Sequence, residues 1–324
     1  MNSFLARNRL IVLAYAGMVL LLLVTALFSP GFLLASNMRS TIVLAAFVGI
    51  VALGQTFVII GGGIDLSVPW VLNSAAIIMA LLCAGQDFPL IWVAPLVLAA
   101  GATIGLINGL GVAQFGVPPI IMTLATNVIL QGLILVVTGG SPSPSAPAVL
   151  KFLSVGRIGP IPVIVLIWLA LALLATLLLS KAAFGRHLYA LGTSATVAEF
   201  SGVPTARTTV LTYVISGTTA ALAGMLLTGY SGVAYLGMGD AYLFTSIAAV
   251  AIGGASILGG SGHYLGTVAG AMVLTILTGL LPALNLSSGA LLVVYGAVIL
   301  ITVSLGSEAF AGLAGTLRRS TRKT

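Results

Sequence analysis

Ten apolar stretches, most of them about 20 residues long, follow one another along the 324-residue chain, and no other feature limits its fold so strongly. They cover 10–28, 41–60, 67–84, 89–111, 118–138, 160–180, 207–228, 243–258, 264–282 and 288–306. A helix of about 20 residues crosses the hydrocarbon core of a bilayer. Within that core, only helices and closed barrels satisfy every backbone polar group. The expectation is therefore an all-α, polytopic membrane protein of about ten transmembrane helices, with Gly-rich broken segments. Composition agrees, since 60% of residues are hydrophobic and 5% charged, against roughly a quarter charged in a soluble domain. Forty glycines suit close approach of helices in lipid. Segment 243–258 is short and Gly-rich and reads as a broken or re-entrant helix. Segment 67–84 reads as interrupted near its start by Pro69.

Charge placement orients the spans. With the N-terminus inside, the inner segments carry Arg7, Arg9, Lys181, Arg186, Arg207, Arg318, Arg319, Arg322 and Lys323, and the outer loops carry only Arg39, Lys151 and Arg157. This excess fits the positive-inside rule and an even number of spans, N-in and C-in. The net charge of +7 is thus a topology signal and gives no reason to invoke nucleic acid. The first stretch resembles a signal peptide, but its apolar run is as long as a span and no clear small-x-small cleavage site follows, so it reads as an uncleaved helix. The outer loop 139–159, with Ser141-Pro142-Ser143-Pro144-Ser145-Ala146-Pro147, reads as extended and solvated.

The run Gly61-Gly62-Gly63-Ile64-Asp65-Leu66-Ser67 places one of only five acidic residues between two spans. A carboxylate at membrane depth costs about 2.5–3.5 kcal/mol on insertion scales. Beside a Gly-rich break, it points to irregular backbone lining a solute path or a packed interface. Further candidates for the path are Gln55, Asn73, Asn108, Thr123, Thr126, Asn127, Gln131 and Asp240. Thr123, Thr126, Asn127 and Gln131 share one helix face by their i, i+3, i+4, i+8 spacing. A neutral amide and hydroxyl stripe suits a polyhydroxylated solute, while interhelical hydrogen bonding explains the same residues individually. Asp65 also fits a structural role at the start of the third helix.

The longest inner loop, 181–207, can form a short helix from Ser194 to Ser201, with Ser194 as N-cap, Gly202 as C′ residue and Pro204 as its stop. Too short to stand alone, that helix lies on the protein or the bilayer, or it docks a cytoplasmic partner. Catalytic chemistry is missing. There is no Gly-x-x-x-x-Gly-Lys-Ser/Thr phosphate loop, two His and one Cys give no zinc spacing, and no nucleophile–base pair stands out. The cluster Gly253-Gly254-Ala255-Ser256-Ile257-Leu258-Gly259-Gly260-Ser261-Gly262 has no Lys and no βαβ context, so helix packing and a tight inner turn explain it. Cys83, the only cysteine, excludes an intramolecular disulfide.

Five stretches resemble a known family in order from about residue 40 to 305. They are Phe57-Val58-Ile59-Ile60-Gly61-Gly62-Gly63-Ile64-Asp65-Leu66-Ser67-Val68; Gly105-Leu106-Ile107-Asn108-Gly109; Gly116-Val117-Pro118-Pro119 through Leu124; Phe184-Gly185-Arg186-His187-Leu188-Tyr189-Ala190-Leu191-Gly192 with Ser201-Gly202-Val203; and Ile247 through Gly254 with Leu258-Gly259-Gly260-Ser261-Gly262 and Gly266-Thr267. The family is the ribose-, xylose- and autoinducer-2-type permeases of ABC importers. The resemblance implies a single permease domain over 1–324, whose loop 181–207 docks a cytoplasmic ABC ATPase through Gly185, Arg186, Tyr189, Gly192, Glu199, Ser201 and Gly202. The candidates for the translocation path, taken from the residues themselves, are Gly62, Gly63, Asp65, Ser67, Asn73, Asn108, Thr123, Thr126, Asn127, Gln131 and Asp240. The expected partners are the ATPase, an extracytoplasmic sugar-binding protein and a second permease subunit, identical or related. ATP is bound by the partner, and this chain carries no cofactor and no enzyme activity of its own. The implied location is a bacterial plasma (inner) membrane. The chain departs from the family pattern at Pro69-Trp70, at Thr193-Ser194 and around Asp240. Two rival readings are an ion-gradient-driven carrier of a neutral solute, which the poor supply of charge in the spans disfavours, and a permease for a non-sugar such as a branched-chain amino acid.

Overall fold

The computed structural model describes residues 9–140, 145–283, 289–290, 292–297 and 300. Its regular structure is helical apart from a hairpin of two two-residue strands, β1 (Arg157–Ile158) paired antiparallel with β2 (Ile161–Pro162), and a single antiparallel bridge between Ser145 and Val233. The helices are α1 (Arg9–Phe28), α2 (Ala35–Ile60), α3 (Val68–Cys83), α4 (Leu90–Ala113), α5 (Pro119–Thr138), α6 (Ala148–Val155), α7 (Val163–Ser180), α8 (Ala183–Thr193), α9 (Ala195–Phe200), α10 (Thr205–Ser231), α11 (Tyr242–Ile252) and α12 (Tyr264–Ala283). A 3₁₀ turn, Pro30–Leu33, follows α1. Six of them, α1, α2, α4, α5, α7 and α10, are long and apolar enough to cross a membrane. The chain is a multi-pass, all-α membrane protein.

The bundle is built around α10, which packs lengthwise on α4, α3 and α2. Glycine permits the closest of these crossings. A Cβ at Gly105 would collide with the Tyr213 carbonyl, and one at Gly217 with the Gly101 carbonyl. Dispersion gained at such separations is the main attraction between helices where lipid removes the hydrophobic driving force. The loops sort to two ends. At one end Gly260 N–H donates to the Ile60 carbonyl (2.9 Å) and Leu66 N–H to Thr123 Oγ1 (3.0 Å). At the other, Ala146 N–H donates to Gly232 O (2.8 Å) and Val149 N–H to Asp87 Oδ1 (2.8 Å).

Two helices begin inside the bundle. Leu72 of α3 faces Gly224, 19 residues into α10, so at 1.5 Å per residue α3 starts about 22 Å along a helix about 40 Å long. The 11-residue α11 runs antiparallel to α12, with Ala249 against Gly270 and Gly253 against Gly266. That register sets Tyr242 beside Leu277, about 20 Å up α12. Segment 232–241 therefore dips into the bundle before α11 starts, and Gly239 lies against the Pro69 carbonyl. The broken eighth segment expected from sequence is present.

Some expectations need correction. Pro69 does not interrupt a span. It occupies the first turn of α3, where no intrahelical N–H bond is lost. Residues 148–155 of loop 139–159 are helical rather than extended; Ser154 Oγ donates to the Leu226 carbonyl (2.5 Å) and pins α6 on α10. Residues 141–144 lie outside the described residues. Loop 181–207 holds a second helix, α8, ahead of the expected one, and α9 keeps the expected caps. Ser194 Oγ accepts from Val197 N–H (3.3 Å), and Gly202 has φ +79°. Only part of 288–306 is described, and where it is, it is helical.

Candidate functional site

The turn Gly61–Gly63 closes α2, with Gly62 at φ +86°, a conformation costly for a residue with a Cβ. The chain then delivers Asp65 into the bundle at 1% exposure. Its partners are neutral donors. Oδ1 accepts from the Ser67 amide (2.9 Å) and hydroxyl (2.6 Å), and Oδ2 accepts from Ser216 Oγ of α10 (2.7 Å). Such bonds to the charged form offset part of the desolvation of a buried carboxylate. Ser67 Oγ in turn accepts from Asn108 Nδ2 (2.9 Å), and Asn108 Oδ1 accepts from Thr126 Oγ1 (2.6 Å). Hydrogen bonds that converge on Asp65 from both sides thus join α5, α4, the start of α3, the break and α10.

Gly63 stands against the Tyr213 hydroxyl, where a Cβ would come within 2.6 Å. That hydroxyl, both amide atoms of Gln55 and Asn127 Oδ1 are buried with no hydrogen-bond partner among the described residues. Thr123 is fully buried, whereas Thr126, Asn127 and Gln131 are half-buried on the edge of a largely exposed α5. The structure thus brings together Gly62, Gly63, Asp65, Ser67, Asn108, Thr123 and Thr126. Asn73 and Asp240 belong elsewhere, with the dipping segment 232–241. Asn73 donates to Tyr235 O (3.1 Å) and accepts from Gly237 N–H (2.8 Å), and Asp240 is exposed. Sequence reading missed Ser216 and Tyr213. Their one signal is the polar run through Thr208, Thr212 and Ser216 at fourfold spacing on α10, which lies on the helix face turned inward.

Beneath the break lies the α8–α9 pair. Gly185 is pressed against the Leu178 and Leu179 carbonyls, which lets α8 fold back sharply from α7. Leu188 is fully buried against Gly61, and Phe184 stacks on Phe57 at 5.9 Å between centroids. At Gly192 a Cβ would run into the Ile60 carbonyl and sit 2.5 Å from Gly260 N. Tyr189 donates to the Gly262 carbonyl (2.7 Å), and burial raises its phenol pKa. Burial lowers the pKa of the neighbouring His263 and favours its neutral form. The outer face of the pair is bare. Arg186, Glu199, Ser201 and Gly202 are exposed, Val197 is 63% exposed and Phe200 90%. Among the described residues no group of three or more His, Cys, Asp or Glu could hold a metal ion.

The profile of a permease family described as "Branched-chain amino acid transport system / permease component" matches residues 37–303. The ribose import permease protein of Bacillus subtilis is 37% identical over 296 residues, 90% of this chain and 91% of its own length. Its counterpart in Haemophilus influenzae is 31% identical over 294 residues, with the same coverage. The autoinducer 2 import system permease protein of Yersinia pseudotuberculosis is 35% identical over 226 residues, 68% of each chain. No solved structure matches the chain.

Proposed function

The chain belongs to this permease family, and from that membership we infer that it is the membrane subunit of an ATP-driven, binding-protein-dependent importer for a monosaccharide or sugar-like solute. The observation that carries the reading is the α8–α9 pair. It is an inner surface element whose buried side touches the Asp65 break through Gly192 and Leu188, and whose free side offers Val197 and Phe200. An exposed aromatic beside mixed polar groups is the composition of a protein interface core. In this reading, loop 181–207 receives the ATPase through the exposed Arg186, Glu199, Ser201 and Gly202, while Gly185, Tyr189 and Gly192, expected at the same interface, instead hold the pair against the bundle. Movement of α8 passes to the end of α2 and to the turn 253–262 as a rigid-body shift.

The proposed arrangement is a single permease domain over 1–324 with ten membrane passages, N-in and C-in, in a bacterial inner membrane. A second permease subunit and an extracytoplasmic sugar-binding protein complete the assembly. ATP is bound and hydrolysed on the partner, and the chain itself holds no cofactor. The half-buried edge of α5, with Thr126, Asn127 and Gln131, is the proposed path, joined to Gly62, Gly63, Asp65, Ser67, Asn108 and Thr123 at the break and to Asn73 and Asp240 at the dipping segment. The two ribose permeases and the autoinducer 2 permease among its relatives support a sugar-like solute over a branched-chain amino acid. A zwitterion asks for paired charges, which the described spans do not supply.

Reconstitution in liposomes with its ATPase and binding protein tests this reading. Accumulation of a pentose or related solute that requires both partners and internal ATP is the expected result. Uptake without ATP under a proton or sodium gradient would replace it with a gradient-driven carrier.

A further inference from the structure

A cavity of about 480 Å³ lies where segment 232–241 turns into α11, within the range of roughly 300–1,000 Å³ usual for small-molecule sites. Four tyrosines, Tyr230, Tyr235, Tyr242 and Tyr295, line it together with Thr275 and Thr278. We propose that this cavity is a binding site, inside one subunit, for a neutral ring-shaped polyol of monosaccharide size.

Three observations favour that ligand chemistry. None of the described lining residues is charged, so nothing there would hold an ion or a zwitterion. Phenol rings offer flat apolar faces for the C–H face of a sugar ring and hydroxyls for its rim. The threonines are already oriented. Thr275 Oγ1 donates to Ala271 O (2.8 Å), Thr278 Oγ1 to Leu274 O (2.8 Å) and, at the mouth of α11, Thr245 Oγ1 to Ala241 O (2.6 Å). Each spends its proton on its own helix and keeps lone pairs to accept from a solute hydroxyl. Tyr295 is 6% exposed, with its hydroxyl 3.5 Å from Thr278 Oγ1, a separation at which a ligand oxygen would make the better partner. Two broken elements, the dipping segment and the start of α11, border the cavity at mid-depth, the setting in which discontinuous helices leave polar backbone beside a solute. The cavity is away from the proposed α5 edge, so the subunit would hold a solute at a second place. The choice of a sugar-like ligand rests on the importer reading.

The test uses the full chain in lipid nanodiscs and saturation-transfer difference NMR with D-ribose, D-glucose and myo-inositol as probes. We expect contact from ring C–H protons of at least one probe. Filling the cavity with Thr245→Trp should weaken it about tenfold, and Tyr295→Phe, which keeps the ring, by about threefold to fivefold. Thermal unfolding of both variants guards against misfolding, and Tyr295→Phe carries the test if the larger change does not fold. No contact with any probe, or contact unchanged in both folded variants, overturns the proposal. So does a phospholipid that co-purifies with the wild type and is lost in Thr245→Trp. Liposomes of the full complex separate the two readings. Wild-type protein that binds sugar but fails to accumulate it with ATP overturns the importer and leaves the site. ATP-driven uptake with unaltered binding in the variants overturns the site alone.

Discussion

Two glycine-bearing breaks start two short helices near mid-depth, and their surroundings are opposite. At Gly61–Ser67 every nearby element closes in. The carboxylate of Asp65 has three donors, Gly192 touches backbone, and Leu188 seals the underside. At 232–242 the chain dips beside α3, pairs with Asn73, and then borders an open cavity. Glycine lets backbones meet at both breaks, Gly192 at the Ile60 carbonyl and Gly239 at the Pro69 carbonyl. At the first break, a shift on one side must be felt on the other. At the second, the chain beyond the contact leaves the space beside it open.

Substitutions can break this contrast. The largest effect is expected at Gly192→Val, where the new side chain must displace the Ile60 carbonyl and the Gly260 amide. Overpacking of this kind costs about 1–3 kcal/mol or more, and ATP-driven uptake should fall at least about tenfold, since the contact between α8 and the break is rebuilt. Unchanged uptake with unchanged unfolding temperature would remove α8 from the coupling route. Asp65→Ala comes next. It leaves donors on Ser67 and Ser216 unpaired, at about 1–3 kcal/mol each and less than additively. Asp240→Asn, at the exposed end of the other break, should stay within about 0.5 kcal/mol. Equal losses in the two variants would show that the breaks are alike after all.

A smaller and sharper test is the pair Ser67→Ala and Thr126→Val. These residues sit at two links of one hydrogen-bond chain, so a double-mutant cycle in thermal unfolding should give a coupling above about 0.5 kcal/mol. Additive losses would mean that the chain is a row of independent contacts. Phe200→Ala should leave unfolding of the isolated subunit untouched and weaken ATPase binding by about tenfold, the usual size for an exposed aromatic anchor. Undiminished ATPase binding would move the docking surface off α9.

The all-α, multi-pass character was legible because span length is a strong, local signal. The caps of α9 were legible for the same reason, since Ser194, Gly202 and Pro204 each act on their own backbone. Helix α8 was not. Residues 183–193 lack a side-chain N-cap, and their helical state depends on Leu188 and Phe184 finding Gly61 and Phe57 more than 120 positions earlier. Helix α6 was hidden for a similar reason, because its buried face exists only once α10 is beside it. At the site, the spacing in the sequence grouped Thr123, Thr126, Asn127 and Gln131 correctly on one helix. It could not divide them between Thr123 and Thr126, which turn to the break and α4, and Asn127 and Gln131 at the edge. Ser216 escaped because a serine in a long apolar helix has no local pattern that names its partner.

Phe200, at 90% exposure, would on the proposed docking also bear on how the subunit is made. A copy inserted without its ATPase would then display that ring to the cytosol, where chaperones and proteases recognise bare apolar groups. Docking as proposed would cover the ring and end that exposure. On this reading, cells that produce more of the chain than the ATPase can cover should clear the excess, and one uncovered side chain would hold the stoichiometry of the complex after translation.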